Sequence, residues 1–229
     1  MKTITSRQNA WFKRVRDALR EHRDEIAIEG PKFVADAIAG GWKPMAVFSS
    51  ESQMTFSREL FAALSDTKSP QNVIALFERP RFALSSVLNP RSSIVVALDG
   101  VQDPGNVGTI VRLAAAFDCA GVVLLPGCAD AYSPKAIRAS AGTVLSIPIV
   151  EATVSDLKDL PIYAADARGA TIDPPARAAV IVFGSEGSGV SEEIRSRAKL
   201  IAIRTSPRVE SLNVAASAAI LLSRSYDAR

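Results

Sequence analysis

From residue 94 onward, six apolar runs of four or five residues alternate with five stretches of helical periodicity. That alternation constrains the fold more than any other feature of the chain. Runs at 94–98, 121–125, 147–150, 162–165, 179–183 and 200–203 read as buried strands, and stretches at 107–117, 133–139, 155–160, 191–197 and 213–225 read as helices. Strands covered on both faces lose the polar alternation of a half-exposed sheet and become continuously apolar. Helices between successive strands supply the crossovers that parallel strands need. The expectation is an α/β domain with a mainly parallel sheet and helices on both faces.

The first strand of this domain leads into Asp103-Pro104-Gly105, a turn in which Pro presets φ and Gly permits positive φ. Val107, Ile110, Val111 and Ala114 then recur at helical spacing, so Asn106 stands at a helix start and Arg112 about two turns in. Open α/β sheets bind ligands at such strand ends. On this stretch alone, an ordinary connecting loop with Arg112 as a surface charge explains the residues equally well.

Residues before 94 form a second, smaller unit. A helix is expected over 5–22, with Thr5 and Gln8 at capping-box spacing. Trp11, Phe12, Val15, Ala18 and Leu19 share one face of it, and Lys13, Arg14, Arg16, Arg20 and Arg23 line the rest. Strands at 26–28, 45–48 and 73–76 alternate with helices from Pro31 to the Gly40-Gly41 stop and over 57–64. Residues 78–93 read as a connection with a short helix around 84–88. The domain reading is therefore 1–90 and 91–229. The net charge of +3 sits entirely in residues 1–90, which hold 13 Lys/Arg against 10 Asp/Glu, whereas 91–229 hold 14 of each. Such a basic face suits either solvent or a polyanion.

Composition excludes several chemistries. Cys119, Cys128 and His22 cannot supply the usual four Cys/His zinc ligands, and no metal is expected. No apolar run reaches the roughly 18 residues of a membrane span. A basic, amphipathic beginning is compatible with an organellar presequence, but the pattern runs on into structured sequence, and a cytoplasmic protein with reduced thiols is expected.

Two further stretches carry chemistry. Phe183-Gly184-Ser185-Glu186-Gly187-Ser188-Gly189 follows a strand and precedes a helix. Its glycines let backbone approach a ligand. The loop lacks the Gly-Lys-Ser/Thr of a P-loop, and its glycine spacing is not the dinucleotide fingerprint. The last helix is apolar or small at nearly every position from Leu212 to Leu222, which calls for burial all round. Ser211 and Asn213 stand at its start, either as caps or as functional groups.

Asn106-x-Gly108-x-x-x-Arg112, Gly184-x-Glu186-Gly187-x-Gly189 and Ser211-Leu212-Asn213-Val214, in this order, resemble the three signature motifs of the SpoU/TrmH family, the SPOUT-class RNA ribose methyltransferases. The likeness covers residues 94–225, with Lys135, Arg138, Ser140 and Gly142 matching a fourth, weaker segment. The N-terminal unit, with Asn9 and Glu29-Gly30, is similar to the family's RNA-binding extension of ribosomal-protein-like fold. The resemblance implies a deep trefoil knot, a homodimer with the site near the subunit interface, and S-adenosylmethionine held by Gly184, Ile203 and Leu212, with Gly187 and Phe183 beside them. It implies methyl transfer to a ribose 2′-hydroxyl of RNA, with ribosomal RNA ahead of transfer RNA; a non-catalytic RNA-binding protein of the same fold is the rival. Arg112 is implied as the catalytic arginine, with Asn106, Glu186, Ser211 and Asn213 as its companions, and Arg138, Lys135, Lys13 and Arg14 as RNA contacts. Bringing a guanidinium from above 12 to near 7 costs about 7 kcal/mol. Arg112 is therefore expected to stabilise the developing alkoxide and not to act as a free base. The chain departs from the family pattern at Arg204, where proline is frequent, and at Ser223-Arg224, where an acidic residue is frequent.

Overall fold

The computed structural model describes residues 2–20, 24–65, 70–88, 94–157 and 160–229. The chain divides into one unit of Met1–Pro80 with Tyr132–Ile137 and another of Arg81–Ala131 with Arg138–Arg229. His22 and Arg23, residues 89–93 of the expected connection, and residues 158–159 lie outside the described residues.

The first unit runs β1 (Lys2–Ile4), α1 (Ala10–Arg20), β2 (Glu25–Glu29), α2 (Pro31–Ala39), β3 (Pro44–Phe48), β4 (Met54–Phe56), α3 (Arg58–Leu64) and β5 (Ile74–Glu78). Its sheet has the order β1-β4-β3-β5-β2 and is mixed: β2 and β3 pair antiparallel with β5, while β1 and β3 pair parallel with β4. Neither β1 nor β4 was expected, because three residues are too few to show a period. Phe12, Val15 and Ala18 of α1 enter a core with Phe48, Phe56, Leu60 and Leu76. The capping-box expectation at Thr5 fails. The helix begins later, and Asn9 caps it, with Asn9 Oδ1 accepting from Trp11 N at 2.9 Å and Asn9 O accepting from Lys13 N at 3.1 Å. Tyr132 joins this unit through ring contact with Trp42 at 6.0 Å, with the Arg79 guanidinium 5.0 Å from its centroid.

The second unit contains β6 (Val95–Asp99), α4 (Pro104–Ala116), β7 (Gly121–Leu124), β8 (Ile149–Glu151), β9 (Ile162–Ala170), β10 (Val180–Gly184), α6 (Glu192–Arg197), β11 (Lys199–Ile201) and α7 (Val214–Asp227), while α5 (Pro134–Ala139) lies at the junction in the chain. All neighbouring strands in the order β11-β9-β10-β6-β7-β8 run parallel. Val95, Ala97, Val123, Val180 and Val182 anchor one core of this sheet. The helix expected over 155–160 is instead a 3-10 turn, Val154–Leu157, set by Asp156 Oδ2 accepting from Thr153 N and Oγ1 at 2.8 and 2.6 Å. The all-round burial expected of the last helix is also corrected. Val214, Ala215, Ala218, Leu221 and Leu222 are buried, but Ala216 is exposed and Ala219 and Ile220 are half-buried.

The sheet order places β6 at a switch point. Its direct successor β7 lies on one side and β10 on the other. Register puts Gly184 beside Asp99. Because the strands are parallel, the loops that follow them leave from the same edge of the sheet.

Asn9→Ala should lower the stability of the first unit by about 1 kcal/mol, read as a lower urea midpoint. Thr5→Ala should stay within about 0.5 kcal/mol of wild type, as expected for a surface position away from any cap.

Candidate active site

Three loops meet at the carboxyl edge of the second sheet. The first opens α4. Asp103 caps that helix, its carboxylate accepting from Asn106 N at 3.0 Å, and Pro104 fills the first turn, where a missing N–H costs nothing. Asn106 is thereby fixed as the third helical residue.

The second loop, after β10, is a closed turn. Ser185 and Gly189 exchange backbone hydrogen bonds in both directions at 3.0 Å, and the Ser185 and Ser188 hydroxyls lie 2.8 Å apart. The return is so tight that a Cβ on Gly184 would fall 2.1 Å from the Gly189 carbonyl carbon. Gly184 is therefore required by close backbone approach, and Gly189, at φ +69°, by the left-handed region. The third loop ends at Asn213, which caps α7: its Oδ1 accepts from Ala215 N at 2.9 Å and Ala216 N at 3.3 Å.

Side chains join the loops. Asn213 has committed its oxygen to the helix, so its Nδ2 faces outward and donates to Asn106 Oδ1 at 3.3 Å. Asn106 has then committed its own oxygen, and its Nδ2 donates to Glu186 Oε1 at 2.6 Å across 80 residues of chain. An ionised carboxylate only accepts. The helix cap at one end and the charge at the other thus fix the same amide orientation for Asn106. The partner that Glu186 receives is Asn106.

A cavity of about 570 Å³ opens among these loops. Phe183, Gly184, Gly187, Ile203 and Leu212, the residues expected at the cofactor, all line it, as do Glu186, Ser211 and Asn213. Leu212 and Ile203 offer apolar walls, while Ser185 to Gly189 offer backbone polar groups. Asn106 reaches the site through its bonds to Glu186 and Asn213. Arg112 does not line the cavity. It lies exposed on α4, about 9 Å further along the axis than Asn106 at 1.5 Å per residue.

The remaining expected residues scatter. Lys135 and Arg138 are exposed on α5. Ser140 is fully buried, its hydroxyl accepting from Gly142 N and Val144 N at 3.3 and 3.4 Å, which shapes a turn. On α1, Lys13 is exposed, whereas Arg14 is bound through Nε and Nη2 to Glu25 and stacks on Trp11 at 5.1 Å. Neither thiol is activated: burial pushes Cys119 up to about 12 and raises Cys128. Among the described residues, no cluster of three or more His, Cys, Asp or Glu side chains is placed to hold a metal ion.

Sequence reasoning missed one cluster. Asp166 and Arg168 also line the cavity. The Asp166 side chain is 8% exposed. Its carboxylate accepts from Arg168 N, Nε and Nη2 and from Arg195 Nε. Hydrogen bonds from the Arg168 side chain chiefly hold Asp166 well below the usual carboxylate range. The Asp-Ala-Arg sequence at 166–168 is the available signal, and it lies just past the strand expected over 162–165.

The model of the SpoU rRNA Methylase family matches residues 93–223. A tRNA/rRNA methyltransferase of Synechocystis, itself uncharacterized, is 30% identical over 99% of this chain and 93% of that protein. The 23S rRNA (guanosine(2553)-2′-O)-methyltransferase RlmP of Bacillus subtilis is 30% identical over 88% of this chain and 84% of that protein. Among solved structures, the AdoMet-bound rRNA methyltransferase from Sinorhizobium meliloti superposes with a TM-score of 0.88 at 27% identity, covering 99% of this chain and 98% of that one.

Gly184→Ala forces backbone apart at the tightest point of the site. Overpacking costs about 1–3 kcal/mol, so a melting temperature lower by roughly 4 °C or more is expected in a thermal scan. Gly187→Ala, whose Cβ would meet nothing within 4 Å, should leave the melt unchanged.

Proposed function

The chain belongs to the SpoU rRNA methylase family, and on that premise we propose that it methylates a ribose 2′-hydroxyl of ribosomal RNA with S-adenosylmethionine as donor. The observation that carries this reading is the convergence of Asn106, Glu186 and Asn213 at one cavity. The AdoMet-bound structural neighbour and the 2′-O-methyltransferase relative support the donor and the acceptor atom.

The cavity suits that donor. Its volume, the apolar walls at Phe183, Ile203 and Leu212, and the backbone groups of the Ser185–Gly189 turn match a flat purine and a sugar. Glu186 and Glu210 place carboxylates on the same lining, which favours a cationic ligand. When bound, the cofactor supplies an electrophilic methyl group on a sulfonium. Asn106, held from both sides, orients the attacking sugar hydroxyl at the cavity edge. Arg112 stabilises negative charge on that oxygen as it attacks, and its fixed positive charge requires no proton loss of its own. The proton leaves to solvent or to a phosphate oxygen of the RNA.

A homodimer is part of the same proposal. Arg112 does not line the cavity of its own chain, and an apolar face is left open. On α7, Ala216 is exposed, Ile220 is half-buried and Tyr226 is 46% exposed; on α4, Ala116 is exposed and Leu113 half-buried. A second copy that covers this face would bring another Arg112 toward the site. The trefoil knot belongs to the proposal as well. It is supported by α7 packing on both α4 and β10 and by the Ser225 hydroxyl donating to Pro175 O at 2.5 Å. The N-terminal unit is proposed to grip RNA through exposed cations such as Lys13, with the protein acting in the cytoplasm. Among the described residues no helix is long and apolar enough to cross a membrane.

Arg112→Ala should retain binding of S-adenosylhomocysteine and lose methyl transfer to ribosomal RNA by at least about 100-fold, the size typical of an oxyanion donor. Full activity in that variant removes Arg112 from the mechanism. Light scattering of the wild type should give twice the 24.3 kDa of one chain; a monomer would contradict the proposed assembly.

A further inference from the structure

The cavity is lined by four ionisable side chains among the described residues: Asp166, Glu186, Glu210 and Arg168. Arg168 is the one cation. Its setting is built and not incidental. Two parallel bonds, Nε to Asp166 Oδ1 at 3.0 Å and Nη2 to Oδ2 at 2.9 Å, fix the guanidinium plane. Asp166 is braced from behind by Arg195 Nε at 3.3 Å. Arg195 spends its other nitrogens on Glu192 Oε2 at 2.6 Å and Val190 O at 2.8 Å, so it is fully committed. Arg168 is not. Its side chain is 63% exposed while Asp166 is 8% exposed, and its Nη1 has no partner among the described residues. A buried, saturated carboxylate therefore holds a half-occupied guanidinium at the wall of the cavity.

The donor carries three charges: a sulfonium, an ammonium and one carboxylate. Asp166 is neutralised by its arginines, which leaves Glu186 and Glu210 for the two cationic groups. The single anionic group would be repelled by those carboxylates and meets one cation on the lining that its own chain supplies. We propose that Arg168 binds the carboxylate of the cofactor's amino-acid tail, with Asp166 and Arg195 as the residues that position it. The proposal rests on the reading of this cavity as the cofactor site. It adds a specificity: the site distinguishes nucleosides that carry an amino-acid tail from those that do not. RNA phosphate is the competing anion. It is disfavoured because Arg168 lines the cavity itself, whereas the exposed Arg204 and Arg208 do not and remain open to a polyanion outside it.

The test is calorimetric and needs no turnover. Wild type, Arg168→Ala and Asp166→Asn are titrated with S-adenosylhomocysteine, which keeps the tail, and with 5′-methylthioadenosine, which lacks it. Loss of a charge-assisted bond predicts that Arg168→Ala binds S-adenosylhomocysteine about 10- to 100-fold more weakly, with 5′-methylthioadenosine unchanged. Asp166→Asn should shift the first ligand in the same direction by less and again spare the second. Retained binding of 5′-methylthioadenosine also shows that each variant is folded at the site. Equal losses for both ligands, or unchanged affinity for S-adenosylhomocysteine with weakened binding of ribosomal RNA, would overturn the assignment. If wild type binds neither nucleoside, the reading of the cavity itself fails, and the proposal with it.

Discussion

The site depends on one side-chain amide held from two directions. Asn106 gives its oxygen to Asn213 and its nitrogen to Glu186, so a residue at the start of α4 joins the loop after β10 to the start of α7. Neither bond is strong alone, since exposed hydrogen bonds contribute about 1 kcal/mol or less. Their value is geometric. Asn213 is already committed to two backbone N–H groups, so its orientation is set by the helix it caps. Glu186 accepts only. The relay therefore allows one arrangement of Asn106, and in the proposed reaction this would fix the group beside the sugar hydroxyl before the sugar arrives.

This relay exists because of backbone register. Parallel pairing of β6 with β10 sets Asp99 beside Gly184 and sends both following loops out of the same edge. Asp99 also accepts from Ser191 N at 2.6 Å, which ties the end of β6 to the start of α6. Gly184 then lets the chain turn back on itself without collision. Strand pairing, one glycine and two helix caps together replace what a sequential motif would do in a P-loop. This explains why the candidate site residues are spread from Asn106 to Asn213 along the chain.

Much of this was legible in the residues. Continuous apolar runs marked the parallel strands because both faces are covered, and Asp103-Pro104-Gly105 marked the start of α4 because cap and proline have position-specific roles. Phe183, Gly184, Gly187, Ile203 and Leu212, which motif resemblance implies at the cofactor, all line one cavity. Other features were not. The strands β1 and β4 are too short for a period, and they are held by partners remote in the chain. Asn9 and not Thr5 caps α1, because the helix begins at Ala10 and both residue types suit a cap. Full burial of α7 was overestimated, because an apolar face cannot reveal whether its own chain or another covers it. The Asp166–Arg168 pair was missed because a pairing across one intervening residue at a strand end has no pattern until the cavity is seen beside it.

If the three loops enclose one ligand, they would present it to an acceptor beside Asn106. The most direct measurement is a crystal structure of this chain with S-adenosylhomocysteine bound. Density for the nucleoside is expected between the Ser185–Gly189 turn and Leu212, with the sulfur facing Asn106. Density for the nucleoside elsewhere on the chain, with the cavity empty, would contradict it.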